Sequence, residues 1–261
     1  MVVFGDLHLS STDRPAMTQA ACDFVSRLDA SNCAAAICLG DLFEAYVGEP
    51  QLRGPDGDIV RALASLRRER GVPAVLIPGN RDFLAGTCLE RAGLPVRRDW
   101  LRLELDGRRD DPVLITHGDL LMVHDHLYRL SRGLQHSSFF RGGSKYLPVW
   151  LRLWIARALR GASKRRHRRR RQRDTDPAAA VPVRRYHAPI DVVDALFAGP
   201  SSAAALPPRM LVCGHFHCPA VESRPDDRHL VTVGDWSDDG GLVALVWSPR
   251  EAELRHSSMW P

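Results

Sequence analysis

The sequence predicts an α/β protein in which two sheets pack as a sandwich and a helical lid is inserted between the strands. Three observations carry this expectation. Short apolar, β-rich runs alternate with helical periodicities as far as Thr116. After Leu230 the helical signals stop and only strand signals remain. Residues 120–200 fit neither pattern. A chain of 261 residues is long enough for one large domain with its own core.

In chain order, Val2–Phe4 predicts the first strand and Met17–Leu28 the first helix. Ala35–Leu39, Ile59–Arg70, Ala74–Ile77 and the weaker Leu84–Ala92 continue the alternation, and Val113–Thr116 reads as the next strand. Beyond the break, Met210–Cys213, Leu230–Val233, Leu242–Trp247 and the segment EAELRH predict further strands, the last three as a terminal antiparallel run. Such a tail suits a two-sheet sandwich better than a plain doubly wound sheet. The expected core is therefore residues 1–119 and 201–261, with 120–200 as the inserted lid. Within it Leu147, Trp150, Leu151, Trp154, Ile155, Ala158 and Leu159 recur at helical spacing, while Arg152, Arg157 and Arg160 fall largely elsewhere on the wheel.

The formal charge of +5 is a local feature. Arg160 to Arg173 holds nine Lys/Arg and no acid, and the other 247 residues carry 27 bases against 31 acids. That distribution disfavours a globally basic nucleic-acid binder, and no stable nucleic-acid partner is expected. The six cysteines form no CxxC pair, so free thiols in a reducing compartment are expected. A strand signal beginning at Val2 leaves no room for a signal peptide. No run reaches the ~18 apolar residues of a membrane span, so a cytoplasmic or peripheral protein is expected.

The residues just after the strands carry the chemistry. Asp6 and His8 come after the first, Asp41 after the second, Asn80 and Arg81 after the third, His117 after the fourth, and His215 and His217 after the strand at Met210–Cys213. In α/β sheets the carboxyl ends of the strands converge on one edge, where ligands bind. The intervals Asp6–Asp41, Asp41–Asn80 and Asn80–His117 are 35, 39 and 37 residues, each about one βαβ unit, whereas His117–His215 is 98. Four imidazoles, two carboxylates and an amide are too many for one tetrahedral zinc. They suit two divalent ions in mixed N/O coordination, such as manganese, iron or zinc. Such pairs carry out displacement at phosphorus. Any one of these residues alone is more often an ordinary polar side chain; five such signals in order are not.

The series DLH, GDLFE, GNRD, HGD and GHFH resembles the calcineurin-like metallophosphoesterase superfamily. Within it the chain is most similar to the UDP-2,3-diacylglucosamine pyrophosphatase family of lipid A biosynthesis. That narrower resemblance rests on DLHLS, LGDLFEAYVG, GNRDFLAG, HGDLLMVHDHLY, LRLWIARALRGASK and GDW, and it covers nearly the whole chain. It implies a two-sheet αββα sandwich. It also implies one metal held by Asp6, His8, Asp41 and His217 and another by Asp41, Asn80, His117 and His215, with two Mn²⁺ the expected pair. The implied reaction is hydrolysis at the phosphate nearer the uridine, giving UMP and 2,3-diacylglucosamine 1-phosphate.

Arg81 stands where many superfamily members carry a histidine. An arginine guanidinium cannot donate a proton to a leaving alkoxide, so a leaving group that needs charge stabilisation, such as a phosphate, is expected. The resemblance also implies substrate contacts from Asn80, Arg81, Asp125, Ser163 and His215. At the family's next Asn and Lys offsets stand His167 and Arg170, whereas counting back from Ile190-Asp191-Val192 places Arg185 near the Lys position.

The Arg run has three readings: a solvated face, a nucleic-acid arm, or a contact with anionic lipid beside an amphipathic Trp/Leu helix. An acylated nucleotide-sugar substrate fits the third best and places the protein peripherally on the cytoplasmic face of the inner membrane. The alternatives are a dinuclear phosphodiesterase acting on a nucleic acid or other nucleotide, with the Arg run as phosphate clamp, and a non-enzymatic scaffold.

Overall fold

The computed structural model describes residues 1–82, 84–104, 112–126, 129–130, 132–133, 137, 143, 147–148, 150–152, 154, 187–199, 206–234, 236, 243–247 and 252–256. The Arg-rich run, Ser163, His167, Arg170 and Arg185 lie outside these residues.

Two five-stranded sheets form the centre. In the first, β1 (Val2–Phe4), β2 (Ala36–Cys38) and β3 (Ala74–Leu76) run parallel, with Val2 opposite Ala36 and Ala36 opposite Ala74. The second contains β4 (Trp100–Glu104), β5 (Pro112–Thr116), β6 (Met210–Cys213), β7 (Ala220–Arg224) and β8 (Arg228–Thr232), in the order β4-β5-β6-β8-β7. Here β5, β6 and β8 are parallel and the two edge strands antiparallel. The hairpin β9 (Val243–Trp247) and β10 (Ala252–His256) returns to the first sheet, with β9 antiparallel to β1.

The inner strands β1, β2 and β6 are apolar throughout because both of their faces are covered. Val2, Phe4, Ala36 and Cys38 point to an outer layer built by α1 (Pro15–Ser26) and α3 (Asp58–Arg68), which comes after the short α2 (Glu49–Leu52). Val3, Ile37, Val113, Ile115, Met210, Val212 and Val231 point inward and form the apolar layer between the sheets. On the far side Leu211, Cys213 and Leu230 meet Val193 and Phe197 of α5 (Ile190–Ala198), which comes after α4 (Thr87–Arg91). The layers are thus helix, sheet, sheet, helix, and the expected αββα sandwich is present. Each fully buried Val, Leu or Phe contributes about 1.5–3 kcal/mol to holding them together.

The helices arise directly from their sequences. Pro15 opens α1, where its missing N–H costs nothing, and Met17, Ala21, Phe24 and Val25 form its buried face. In α3 the buried Ile59, Val60, Leu63, Ala64 and Leu66 share one face, with Asp58 in the first turn and Arg67 and Arg68 in the last, complementing the helix dipole.

Two expectations about topology are corrected. The βαβ succession ends at β3: β4 is antiparallel to β5, so the interval from Asn80 to His117 crosses from the first sheet to the second. The terminal strands do not form one antiparallel run, because β8 lies in the second sheet, parallel to β6, while β9 and β10 lie in the first. The reason is that β8 buries Leu230 and Val231 on opposite faces, which only an inner strand of a covered sheet allows. All six cysteines are free, as expected, with Cys33, Cys38 and Cys213 buried. Among the described residues no helix is long and apolar enough to cross a membrane.

Candidate active site

The chemistry-bearing residues lie just past the carboxyl ends of β1, β2, β3, β5 and β6, so both sheets contribute to one edge. Backbone hydrogen bonds carry the pairing of β1 and β2 on into the loops: Asp6 N–H donates to Gly40 C=O at 2.9 Å and His8 N–H to Asp41 C=O at 2.8 Å. Across the second sheet, Gly214 N–H donates to His117 C=O at 2.8 Å. Asp6, His8, Asp41, His215 and His217 all hold positive φ, between 46° and 70°. For non-glycine residues this left-handed region is sparsely occupied, and such strain concentrates at functional sites.

Asp6 and Asp41 are buried, as is His117. Asp6 Oδ2 accepts the His215 N–H at 2.7 Å, and Oδ1 lies 3.8 Å from His217 Nε2. Asp41 divides its carboxylate between two histidines: Oδ1 is 3.7 Å from His117 Nε2 and Oδ2 is 3.9 Å from His8 Nε2. Asn80 Oδ1 is 3.4 Å from His117 Nε2, the His8 and His217 rings stack at 5.2 Å, and the His117 and His215 rings meet edge-on at 5.1 Å. The structure therefore brings all seven expected residues together. Asp6, His8 and His217 form one group with ligand atoms within 4.8 Å of one another; Asp6, Asp41 and His117 form a second. These tightest groups share Asp6, whereas the family resemblance implies a shared Asp41.

Two glycines make the approach possible. A Cβ on Gly79 would stand 2.2 Å from Asp41 Oδ1, and one on Gly214 would stand 2.6 Å from Asp6 Oδ2. Neither carboxylate could keep its place beside a larger residue.

The electrostatics are those of a site built around cations. Burial pushes the Asp41 carboxyl up to about 6, against the pull of His117, and the neighbouring Asp6 adds to the rise. Burial opposes a proton on His117, yet the carboxylates of Asp41, Asp6 and Asp119 outweigh it and hold the imidazole up at about 9. Burial and His117 push His215 down to about 3, and burial with His217 keeps His8 well below its ordinary range. The N···O separations of 3.7–3.9 Å are too long for hydrogen bonds. They fall within the span that two ligands of one ion, each bonded at about 2.0–2.2 Å, can subtend. Buried carboxylates and imidazoles spaced this way fit divalent metal ions.

Arg81 sits at the rim, its N–H donating to Asp41 Oδ1 at 2.8 Å and its guanidinium 4.0 Å from Asp41 Oδ2 and 3.9 Å from Glu44 Oε1. Asp125 is half-buried, eight residues beyond His117; the backbone of its turn bonds to Met122 and Arg129. Trp150 and Trp154, expected as lid residues, are 68% and 64% exposed.

Sequence reasoning passed over three supporting carboxylates. Glu44 lies 3.9 Å from both His8 Nδ1 and the Arg81 guanidinium. Asp82, fully buried and pushed up to about 7 by burial and Asp41, accepts the N–H groups of Leu42 and Phe43 at 2.9 and 3.2 Å and so pins the loop after Asp41. Asp119 accepts Arg132 Nε at 2.6 Å, and Arg132 also reaches Asp99 at 2.8 Å. Each stands inside one of the motifs GDLFE, GNRD or HGD, which was the signal that could have found it.

Comparison with known proteins identifies the family. The family model described as calcineurin-like phosphoesterase matches residues 1–219. A UDP-2,3-diacylglucosamine hydrolase of Aeromonas salmonicida (strain A449) is 34% identical, over 97% of this chain and 92% of that one. The enzyme of the same name from Aeromonas hydrophila is 32% identical over 97% of both chains. That of Enterobacter sp. (strain 638) is also 32% identical, over 92% of both.

Proposed function

The chain belongs to the calcineurin-like phosphoesterase family and is a metal-dependent hydrolase, and on that footing we propose that its substrate is UDP-2,3-diacylglucosamine. The products are UMP and 2,3-diacylglucosamine 1-phosphate, which places the reaction in lipid A biosynthesis. The observation that carries the reading is Arg81: a guanidinium fixed at the rim of the cluster by its own backbone bond to Asp41. It offers permanent charge where a histidine would offer a proton, which favours a phosphate leaving group over an alkoxide. The relatives carrying this substrate in their names span nearly the whole chain.

Asp6, His8, Asp41, Asn80, His117, His215 and His217 would hold two divalent cations, with Mn²⁺ proposed for a mixed N/O donor set. When bound, such ions lower the pKa of water and neutralise charge on phosphoryl oxygens. The chain's own residues supply the rest. Arg81 holds the diphosphate, Asn80 and His215 orient its oxygens, and Asp125 accepts hydrogen bonds from sugar or uracil. Sequence resemblance extends the substrate contacts to Ser163; at the family's next two contact offsets stand His167 and Arg170, with Arg185 the alternative to Arg170.

The helical lid is proposed for the part of residues 120–200 that precedes α5, since α5 itself packs on the second sheet. In support, β5 and β6 pair directly although this stretch separates them. Exposed Trp150 and Trp154 ahead of the basic run support a peripheral association with anionic lipid at the inner-membrane surface.

The direct test is incubation with UDP-2,3-diacylglucosamine and Mn²⁺. UMP release is expected from the native protein, and Asp41→Ala or His117→Ala should lower it at least ~10²-fold, as loss of several kcal/mol of charge stabilisation implies. No UMP, with cleavage of oligonucleotides instead, would replace the substrate; near-native turnover in both variants would refute the two-metal reading.

A further inference from the structure

Arg152 lies in the stretch between β5 and β6, in a helical turn where the N–H groups of Leu151 and Arg152 donate to Pro148 C=O at 3.0 and 3.1 Å. Its side chain leaves that turn and crosses to the loop after β2. One terminal guanidinium nitrogen donates to Val47 C=O at 2.6 Å, and Nε donates to Leu147 C=O at 3.1 Å. The fit is close: a Cβ on Gly48, which holds φ +112°, would stand 2.7 Å from that same terminal nitrogen. A larger residue at 48 would push the guanidinium off the carbonyl.

The loop it grips leads to the site. Tyr46, next to Val47, is buried, and its ring stacks on Phe43 at 5.3 Å. Its N–H donates to Arg81 C=O at 3.1 Å. Arg81 in turn donates its N–H to Asp41 Oδ1 and sets its guanidinium between Asp41 and Glu44. An unbroken run of peptide and hydrogen bonds therefore joins Arg152 to the metal-ligand candidate Asp41, through Val47, Tyr46 and Arg81.

We infer that Arg152 is a positioning residue: it latches the helical turn that starts at Pro148 onto the 46–48 loop and through Tyr46 fixes Arg81 against the cluster. The inference rests on the reading of Arg81 as the substrate-facing cation. Arginine suits the place because its planar fork serves two carbonyls at once, which a lysine ammonium does not do in the same geometry. A charge shared between two carbonyls within one chain needs no carboxylate partner, so the latch adds no anion near a phosphate substrate.

Three measurements, built on Arg152→Ala and Arg152→Lys, decide it. Hydrogen exchange should show the Tyr46 amide opening about tenfold faster in Arg152→Ala, with α1 and α3 unchanged and Arg152→Lys in between. With Mn²⁺, kcat on UDP-2,3-diacylglucosamine should fall about tenfold while bis(p-nitrophenyl) phosphate, a diester with no diphosphate to position, is cleaved within about twofold of native. Adding Arg81→Ala to Arg152→Ala should cost little beyond Arg81→Ala alone. Unchanged exchange at Tyr46 would overturn the latch, as would equal losses on both substrates with exchange rising throughout, or losses that multiply in the double variant. If the native protein releases no UMP, the substrate reading fails, and the exchange result alone decides the latch.

Discussion

Asp41 turns one oxygen to His117 and the other to His8, and this division explains the proton balance of the cluster. The carboxylates hold His117 up at about 9, above the ordinary histidine value of about 6.5. In the metal-free protein its proton therefore contributes stability in full below about pH 6.5, and the contribution disappears as pH rises through about 9. A metal ligand must shed that proton. Titrating Mn²⁺ at pH 7 in buffers of different ionisation enthalpy should thus reveal proton release; heats independent of buffer would contradict the assignment. At this scale much was legible from the sequence: each of the seven clustered residues comes within a few positions of a strand's end, so its location at the sheet edge is a local inference. The partners Glu44, Asp82 and Asp119 stood inside the motifs, but their roles were not legible, because they depend on contacts such as that of Asp82 with the Leu42 N–H 40 residues away.

At the scale of elements, the end of α1 shows how a distant residue finishes a helix. Arg70 donates through one guanidinium nitrogen to the carbonyls of Val25, Ser26 and Leu28 at 2.8–3.0 Å, serving carbonyls at and just past the helix end. Arg70→Ala should lower stability by about 1–3 kcal/mol, seen as a shifted urea midpoint at constant slope; an unchanged midpoint would mean that water serves these carbonyls equally well. The apolar runs marked seven strands within a residue or two. Two edge strands, β4 and β7, were missed; β4 carried a period-two signal, Leu101 and Leu103 inward and Arg102 and Glu104 exposed. Beside the continuous apolar runs it looked weak, because an edge strand keeps one face toward solvent.

Over the whole molecule, the four layers bring the carboxyl ends of two sheets to one edge, so the site takes residues from Asp6 to His217. The excess positive charge belongs to a single run, and the rest of the chain is slightly acidic by composition. Deleting residues 165–171 should weaken binding to anionic vesicles by at least about tenfold, at roughly 1 kcal/mol per basic residue near the surface. It should weaken hydrolysis of detergent-dispersed substrate less. Equal partitioning of the native and shortened proteins would leave the run as a solvated segment.

Local pattern along the chain was enough for the layer type, the positions of most strands and the seven residues at their ends. Strands covered on both faces are continuously apolar, and the first polar residue after such a strand can only emerge at the sheet's edge. Folding alone reveals which sheet each strand joins, that Asp41 faces His117 across the two sheets, and that Arg152 holds Val47 from 105 residues away. Those pairings arise from packing between distant segments, which leaves no periodic trace along the chain.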